Sequence, residues 1–241
     1  MKKKILFTIL ALWSWSSHVH GQAALIALLF GDQVASEDFN VSLELGWNFN
    51  QFQDLEQTRR KSAVNFGIAG NIKLSESWFL SPGVYFLSNR AYSFESYSLN
   101  TGNPSLDAEF VDKSGEGSVS YIDVPVLAWY QRGRWRLGAG PQLSFTTNSE
   151  RLYEGNDGDF RQDLKGQTEN LEYGVMGALS YELGKVRKGK GLFIQLRYFQ
   201  GLTDVYFDSV DSGNNRSNYI AIHFSLPFIT DELAEKKLHQ D

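Results

Sequence analysis

The chain has 241 residues and 28 acidic against 23 basic side chains, a formal net charge of −5 at pH 7 that gives no electrostatic reason to expect nucleic-acid binding. It contains no cysteine, which excludes disulfides, thiolate catalysis and cysteine metal sites. A mean hydropathy below zero argues against a helical membrane protein but agrees with a barrel, whose strands carry polar residues at alternate positions.

Residues 1–21 have the pattern of a secretory signal peptide. Three lysines follow the first methionine, the apolar run ILFTILALWSW comes next, and Val19 and Gly21 supply the small or medium residues that precede a cleavage site. The alternative is a transmembrane helix, but the run is shorter than the roughly 20 residues that cross a bilayer. We predict cleavage after Gly21 and therefore an exported protein.

Residues 22–38 do not alternate. An apolar run from Ala23 to Phe30 is closed by Gly31 and Asp32, a pair that commonly ends a helix. We predict an N-terminal periplasmic segment with a short helix. An additional strand and the tail of an uncleaved signal are the alternatives.

Eight stretches within residues 39–228 alternate apolar and polar side chains. In the first (FNVSLELGWNFNQF, 39–52), Leu45 and Trp47 fall on one face, and Glu44 and Asn48 on the other. The remaining stretches are 63–74, 78–88, 120–130, 134–145, 170–182, 192–202 and 218–228. Because a tilted strand of about 9–11 residues crosses a bilayer, the pattern predicts an all-β fold, an eight-stranded antiparallel up-and-down transmembrane β-barrel. A soluble lipocalin-like barrel is the alternative.

The connections alternate in length, which predicts the topology. Residues 75–77, 131–133 and 184–190 are short or tight connections, and 53–61, 89–117, 147–169 and 203–216 are longer and polar. Outer-membrane barrels have short periplasmic turns and long extracellular loops. Aromatic residues near the predicted short-turn end would form a periplasmic girdle at the membrane interface. They are Trp78, Tyr130, Trp135, Tyr181 and Phe228.

Residues 229–241 (ITDELAEKKLHQD) continue beyond the last predicted strand. They are charged and helix-prone, so we predict a periplasmic tail. It is either a docking peptide or a solvated end.

Several charged residues would face the barrel interior. The interior of an eight-stranded barrel is just wide enough to be filled by side chains, and charges inside it must pair or stay hydrated. We therefore predict a lumen charge network that plugs and stiffens the barrel. Its members are Glu44, Asp123, Arg136, Glu172 and Arg197. A gated ion path or a small-ligand pocket is the alternative; Lys73, Glu182 and His223 also face inward in this scheme.

The sequence gives little support for catalysis or for a bound cofactor. After signal removal, His223 and His239 are the remaining histidines, and neither has the partners of a catalytic triad nearby in sequence. The segment EGNDGD (154–159) could chelate calcium, but it does not match the twelve-residue spacing of a calcium loop. We predict that the protein is not an enzyme and has no cofactor and no metal.

Several short strings resemble the PorT-like outer-membrane β-barrel family of Bacteroidota. They are ALLFGDQVASEDF before the first strand, YIDVPVL, GAGP, YFQGLTDV and a last strand that ends in Phe228. The resemblance covers most of residues 23–228. It implies an outer-membrane barrel, carries over no catalytic residue, and suggests a role accessory to secretion or envelope assembly, since one founding member is associated with the type IX secretion system.

These features predict a protein of the cell outer membrane of a Gram-negative bacterium, with a structural or protein-interaction role. The expected partners are outer-membrane lipid and periplasmic or outer-membrane proteins, with no nucleic acid. A ligand-binding barrel or a small gated pore is the alternative.

Overall fold

The computed structural model describes residues 36, 38–55, 57–155, 158–187, 190–210 and 213–228, with the backbone alone at 184–187 and 190. Nine antiparallel strands account for most of these residues. The strands are β1 (Phe39–Phe52), β2 (Thr58–Lys73), β3 (Trp78–Tyr97), β4 (Lys113–Arg132), β5 (Trp135–Tyr153), β6 (Phe160–Asp163), β7 (Leu171–Arg187), β8 (Lys190–Gly201) and β9 (Ser217–Pro227).

Eight of these strands close into a ring. Each pairs with its neighbours along the chain, with β5 pairing to β7 because β6 is a short strand attached to β5 alone. The ring is completed where β1 pairs with β9, from Ser42 opposite Pro227 to Phe52 opposite Ser217. The predicted all-β ring of eight antiparallel strands is therefore confirmed.

The two faces of each strand differ as the alternation predicts. On β1, Leu45 and Trp47 are 51% and 55% exposed, whereas Glu44 and Asn48 are buried in the interior. Similar outward apolar side chains, such as Leu137 and Leu196, continue around the ring. We call this outward surface the apolar band. Inside the ring, glycines make room for large rings: a Cβ added at Gly67 would lie 2.5 Å from the Tyr85 ring.

Strand β3 contains an irregularity that explains its unclear sequence pattern. Its register against β4 shifts between Tyr85 and Ser88, and Leu87 has a φ of 58°. Phe86 and Leu87 both point outward as a result, and the inward positions change from odd to even numbers. This is the behaviour of a β-bulge, which re-aims every side chain that follows it.

Three strands run well beyond the apolar band at the end that carries the long connections. The prediction of loops at 89–117 and 147–169 is wrong in extent, because residues 89–97, 113–117 and 147–153 are strand. The predicted loop at 53–61 is shorter too, since β2 begins at Thr58. We call residues 91–97, 113–118 and 148–153 the extension. Its outward side chains are mostly polar, and its inward ones include the buried rings of Tyr92, Phe94 and Tyr153, the reverse of the pattern that identified the strands.

Short elements complete the long-loop end. Helix α1 (Pro104–Glu109) is capped by Asn103, whose side chain accepts a hydrogen bond from the Ser105 backbone N–H. A 3₁₀ turn (Lys165–Gln167) leads into β7. At the opposite, short-turn end, the connections are 74–77 and 133–134, and β7 continues to Arg187 instead of ending before the predicted turn at 184–190.

Some predicted segments lie outside the described residues. They are the signal peptide (1–21), most of the N-terminal periplasmic segment (22–38) and the tail (229–241).

Among the described residues, no helix is long and apolar enough to cross a membrane.

Candidate functional site

A first charge network crosses the interior around Arg197 of β8. Its Nη2 donates to Glu44 Oε2 at 2.6 Å, and its Nη1 donates to the Tyr85 hydroxyl at 2.7 Å. The Tyr85 hydroxyl donates to the same carboxylate. Gln195 Oε1 accepts from Arg197 Nε and Nη2 at 2.8 and 2.6 Å. Since Glu44 lies on β1 and Tyr85 on β3, the network ties three separate parts of the wall together.

His223 of β9 borders this first network. Its Nδ1 lies 3.8 Å from Glu44 Oε2, and its ring meets Tyr85 edge-on with centroids 5.5 Å apart. A Cβ at Gly46 would come within 2.4 Å of His223 Nε2, so the ring occupies the space that this glycine leaves open. The arrangement packs the imidazole between Gly46 and the Tyr85 ring.

A second network surrounds Arg90 of β3, which is fully buried. It forms a close ion pair with Glu172 of β7, and its Nη2 donates to Asp123 Oδ1 at 3.0 Å and to Ser144 Oγ at 2.9 Å. The guanidinium carbon lies 4.1 Å from the centroid of the Tyr121 ring. One cation is thus shared by two buried carboxylates from different strands.

Hydroxyl groups complete the second network. Ser88 donates to Asp123, and Ser217 of β9 donates to Glu172 Oε1 at 2.6 Å. Buried carboxylates of this kind are stable only when ion pairs and hydrogen bonds replace the lost water. The second network meets this condition with groups from five strands.

The structure places Arg136 apart from both networks. Its Nε donates to Gln131 Oε1 at 2.8 Å, and its guanidinium carbon lies 4.2 Å from the ring centroid of Phe193 and 4.9 Å from that of Phe79. It therefore lies near the short-turn end, on aromatic faces. The other four predicted network residues divide into two pairs, Glu44 with Arg197 and Asp123 with Glu172, and the second pair is held by Arg90, which the sequence analysis assigned to a loop.

Apolar side chains fill much of the remaining interior. One buried cluster lies inside the ring and has Phe79 packed against it. Its members are Leu127, Trp129, Met176, Ala178, Phe199, Tyr219 and Ala221. Together with the two charge networks, this cluster fills much of the interior formed by the described residues.

A second buried cluster closes the long-loop end. Its members are Phe52, Leu55, Tyr92, Phe94, Leu99, Phe110, Val119, Tyr121, Tyr153, Leu164, Val205 and Tyr206. Asn215 holds the β8–β9 connection over the mouth, because its Oδ1 accepts from the backbone N–H groups of Val205 and Tyr206 at 2.7 and 2.6 Å. The long connections thus contribute to a common core and do not extend freely.

The extension contains a buried arginine in an aromatic setting. Arg151 Nε donates to the Tyr92 hydroxyl at 2.9 Å, and its guanidinium carbon lies 4.9 and 5.2 Å from the ring centroids of Tyr97 and Tyr206. Within the described residues it has no carboxylate partner, and its Nη2 has no hydrogen-bond partner. The sequence pattern gave no signal for this residue, because it lies in the region predicted to be a loop.

The predicted girdle residues group in pairs at the short-turn end. The ring centroids of Trp78 and Tyr130 are 5.3 Å apart, and those of Trp135 and Tyr181 are 4.7 Å apart. The backbone N–H of Phe228 donates to the Val41 carbonyl at 2.7 Å, just after β9 ends.

The long-loop end shows no metal site among the described residues, where no three His, Cys, Asp or Glu side chains are grouped to hold an ion. In the EGNDGD segment, Glu154 accepts a hydrogen bond from Ser114 at 2.7 Å, while Asn156 and Asp157 lie outside the described residues.

A family model supplies the identification. The model for an outer membrane protein beta-barrel domain matches residues 31–206, which is more than half of the chain. The chain belongs to this family. The protein is therefore located in the outer membrane, and the ring of strands is a membrane barrel. Among curated proteins, none matches the chain.

Several solved structures are similar in outline. Ail of Yersinia pestis has a TM-score of 0.43 at 7% identity, over 80% of this chain and 100% of that one. Neisserial surface protein A has a TM-score of 0.40 at 11% identity, over 79% and 97%. The N-terminal barrel domain of Pseudomonas aeruginosa OprF has a TM-score of 0.31 at 10% identity, over 78% and 97%. Similarity at this level does not extend to a role.

Proposed function

We propose that the protein is a closed, non-conducting barrel with a structural or protein-interaction role in the outer membrane, accessory to secretion or envelope assembly. The observation that carries this proposal is the filled interior. Arg197 and Arg90 each join opposite parts of the wall, and the cluster around Tyr92 and Tyr206 covers the mouth. A solute could pass only by breaking these buried ion pairs, which is energetically costly. The interior therefore favours a closed barrel over a conducting one.

The motifs that carry the resemblance to the PorT-like family lie where strands pack closely and charges pair, which supports a structural role. In the GAGP string of β5, a Cβ at Gly140 would lie 1.9 Å from the Val126 carbonyl oxygen, and one at Gly138 would lie 2.5 Å from the Trp129 ring. These glycines therefore permit close packing between β4 and β5. In the YIDVPVL string, Asp123 is one of the carboxylates that Arg90 holds. The motif residues act in packing and ion pairing, and we propose no catalysis.

The proposed partners follow from the two exposed surfaces. The apolar band would contact outer-membrane lipid, because a bilayer is the medium that favours so many outward Leu, Trp and Phe side chains. The long connections would face the outside and the short turns the periplasm. Protein partners in the periplasm or outer membrane would then meet the protein at its ends.

Conductance in planar bilayers tests the closed barrel. We expect no steady current from the wild-type protein, because side chains fill an eight-stranded interior. The matched variant is Arg197→Ala, which opens one network and should raise the frequency of brief conducting events. A large and stable open channel in the wild type would contradict the proposal and favour a transport pore.

Accessibility labelling tests the topology on which the proposed partners depend. A tag inserted at Asn103 in the α1 connection should react on intact cells, and a tag at Gly133 in the β4–β5 turn should react only after the outer membrane is broken. The reverse result would show that the barrel has the opposite orientation in the membrane.

A further inference from the structure

The hairpin of β1 and β2 divides at the long-loop end and leaves a cleft in the wall. Pairing between the two strands ends where Asn50 lies opposite Lys61. Beyond this point Phe52 of β1 pairs with β9, whereas Thr58 of β2 pairs with Phe94 of β3. The chain joins the two diverging ends through residues 53–57, of which 53–55 and 57 are described. The cleft thus lies where two parts of the wall separate, next to the apolar band on the side of the long connections.

The cleft has the size and lining of a small-molecule site. Its volume is about 690 Å³, within the range of roughly 300–1,000 Å³ that ligand pockets occupy. Phe52, Leu55 and Tyr92 are buried and form an apolar floor. The remaining lining residues are polar or charged: Gln51, Gln53, Asp54, Thr58, Arg59 and Arg60.

Among the described residues that line the cleft or lie next to it, three arginines (Arg59, Arg60 and Arg151) meet two carboxylates (Asp54 and Glu95). Arg59 is ion-paired with Glu95 at 2.5 Å, but Arg60 has the neutral Gln51 side chain as its hydrogen-bond partner. Behind the floor, Arg151 bonds the Tyr92 hydroxyl and has no carboxylate partner among the described residues. Asp54 is the acidic residue of the described lining. Arg60 and Arg151 thus have neutral hydrogen-bond partners and no carboxylate partner in the described part of the chain.

The floor of the cleft is held in place from behind. The Tyr92 hydroxyl accepts from Arg151 Nε and lies 3.1 Å from the Tyr206 hydroxyl. The ring of Phe52 meets the Tyr92 ring edge-on at 5.0 Å. A fixed aromatic floor favours binding, because little side-chain freedom remains to be lost when a ligand arrives. This gives the buried Arg151 a positioning role, since a partnerless buried cation would otherwise only destabilise the fold.

We propose that this cleft binds an organic oxyanion, a phosphate or carboxylate group attached to an apolar body. The oxyanion would bind Arg60, whose planar guanidinium matches phosphate and carboxylate geometry, and the apolar body would pack on Phe52 and Tyr92. An inorganic ion alone would leave the apolar floor uncovered. The ligand is either a soluble molecule or the phosphate of an outer-leaflet lipid, because the cleft lies beside the outward Trp47 and Phe49 of the band.

Calorimetric titration with 1-naphthyl phosphate tests the proposal, with the full-length mature protein in phosphatidylcholine nanodiscs. The neutral 1-naphthol and inorganic phosphate serve as ligand controls and should bind at least tenfold more weakly. Arg60→Gln should weaken binding of the naphthyl phosphate about tenfold, the usual scale of a lost charge-assisted contact. The matched control is Arg161→Gln, which removes an exposed arginine paired with Glu150 outside the cleft and should leave affinity unchanged.

Two further variants keep the test decisive if Arg60→Gln fails to fold. Thr58→Glu places a negative charge in the cleft and should abolish binding. Arg151→Met removes the bond that orients Tyr92, and it should weaken binding while the barrel keeps its heat-modifiable mobility on gels.

A lipid arm separates the two ligand sources. If the soluble probe does not bind, the melting temperature is compared in phosphatidylglycerol and phosphatidylcholine nanodiscs. A rise of about 2–4 °C with the anionic lipid, lost in Arg60→Gln and kept in Arg161→Gln, would assign the cleft to a lipid phosphate. Two results together would overturn the proposal. The first is that naphthyl phosphate binds no more tightly than naphthol, or binds equally well to the Arg60 and Thr58 variants. The second is that the anionic lipid does not change the melting temperature.

Discussion

At the level of the apolar band, β3, β4 and β5 direct apolar side chains outward, and their inward side chains include Ser81, Asp123 and Ser144. In the extension the same three strands do the opposite, with Tyr92 and Phe94 inward and Ser93 and Glu95 outward. The surrounding medium explains the difference. Lipid favours apolar groups on the outside, whereas water favours them on the inside. One continuous strand therefore follows two patterns.

The interiors of the two regions are stabilised differently as well. Within the band, ion pairs and hydrogen bonds hold the wall strands together, as at Arg90 and Arg197. Within the extension, aromatic and aliphatic packing dominates, as in the cluster around Phe94 and Phe110. The band region thus combines charge pairing with apolar packing, whereas the extension depends mainly on hydrophobic burial. Four predictions test this contrast, in order of decreasing effect.

Arg90→Ala should cause the largest loss of stability. Removing the cation leaves Asp123 and Glu172 buried without their partner, and breaking a buried pair typically costs about 3–5 kcal/mol. Urea unfolding in lipid vesicles, followed by tryptophan fluorescence, measures the free energy of unfolding. The matched control is Arg136→Ala, which loses aromatic contacts and one hydrogen bond and should cost only about 1–2 kcal/mol. Equal losses from the two variants would mean that the charge networks do not stabilise the band region.

Phe94→Ala should destabilise the extension and leave the band region intact. Truncating a buried phenylalanine costs about 3–5 kcal/mol, and here the loss falls on the hydrophobic cluster beyond the membrane. Limited proteolysis should show faster cleavage in the connection 98–112, with unchanged heat-modifiable mobility of the barrel. The control is Val111→Ala, an exposed position in the same connection. If Phe94→Ala also abolished heat modifiability, the two regions would not be separable.

Leu196→Arg and Asn148→Arg compare the outward face in the two media. Leu196 lies in the apolar band and is 52% exposed, and an arginine near the bilayer midplane costs roughly 2–4 kcal/mol. Asn148 is outward and exposed in the extension, beside Glu150, so an arginine there should be tolerated. Folding yield into lipid vesicles provides the measurement. Similar yields for both variants would show that the boundary between the apolar band and the extension lies elsewhere on the strands.

The smallest expected effect is local and depends on pH. The pKa of the Asp107 carboxyl is held below its ordinary value by hydrogen bonds from the Thr101 backbone N–H and hydroxyl, and also from the Gly102 N–H. A lowered pKa in the folded state means that this contribution is fully present above about pH 3.9 and is lost as pH falls through the folded value. The protection factors of the Thr101 and Gly102 amides, taken relative to intrinsic exchange at each pH, should therefore fall on acidification. Asp107→Asn should remove that pH dependence and leave the rest of the barrel unchanged.

Much of the barrel was predictable because a strand repeats every two residues and the bilayer makes one face strictly apolar. For β1, both bounds and both faces follow from the alternation alone. The inward positions of Glu44, Asp123, Glu172 and Arg197 follow in the same way, since each lies in a regular stretch within the band. The ends of β3, β4 and β5 could not be predicted in this way. Outside the lipid, polar side chains point outward, which is the reverse of the pattern used to locate the strands.

The amino-acid sequence was enough to predict the eight strands of the ring, their antiparallel order and the direction of most of their side chains, because these depend on local periodicity and on the contrast between lipid and interior. Which charges meet depends on the three-dimensional arrangement of the strands. The bulge at Leu87 directs Arg90 inward, and the register of the ring brings it to Asp123 and Glu172 and keeps Arg136 away. The physical reason is that pairing across a lumen depends on register and stagger summed over eight strands, a quantity that no single strand contains.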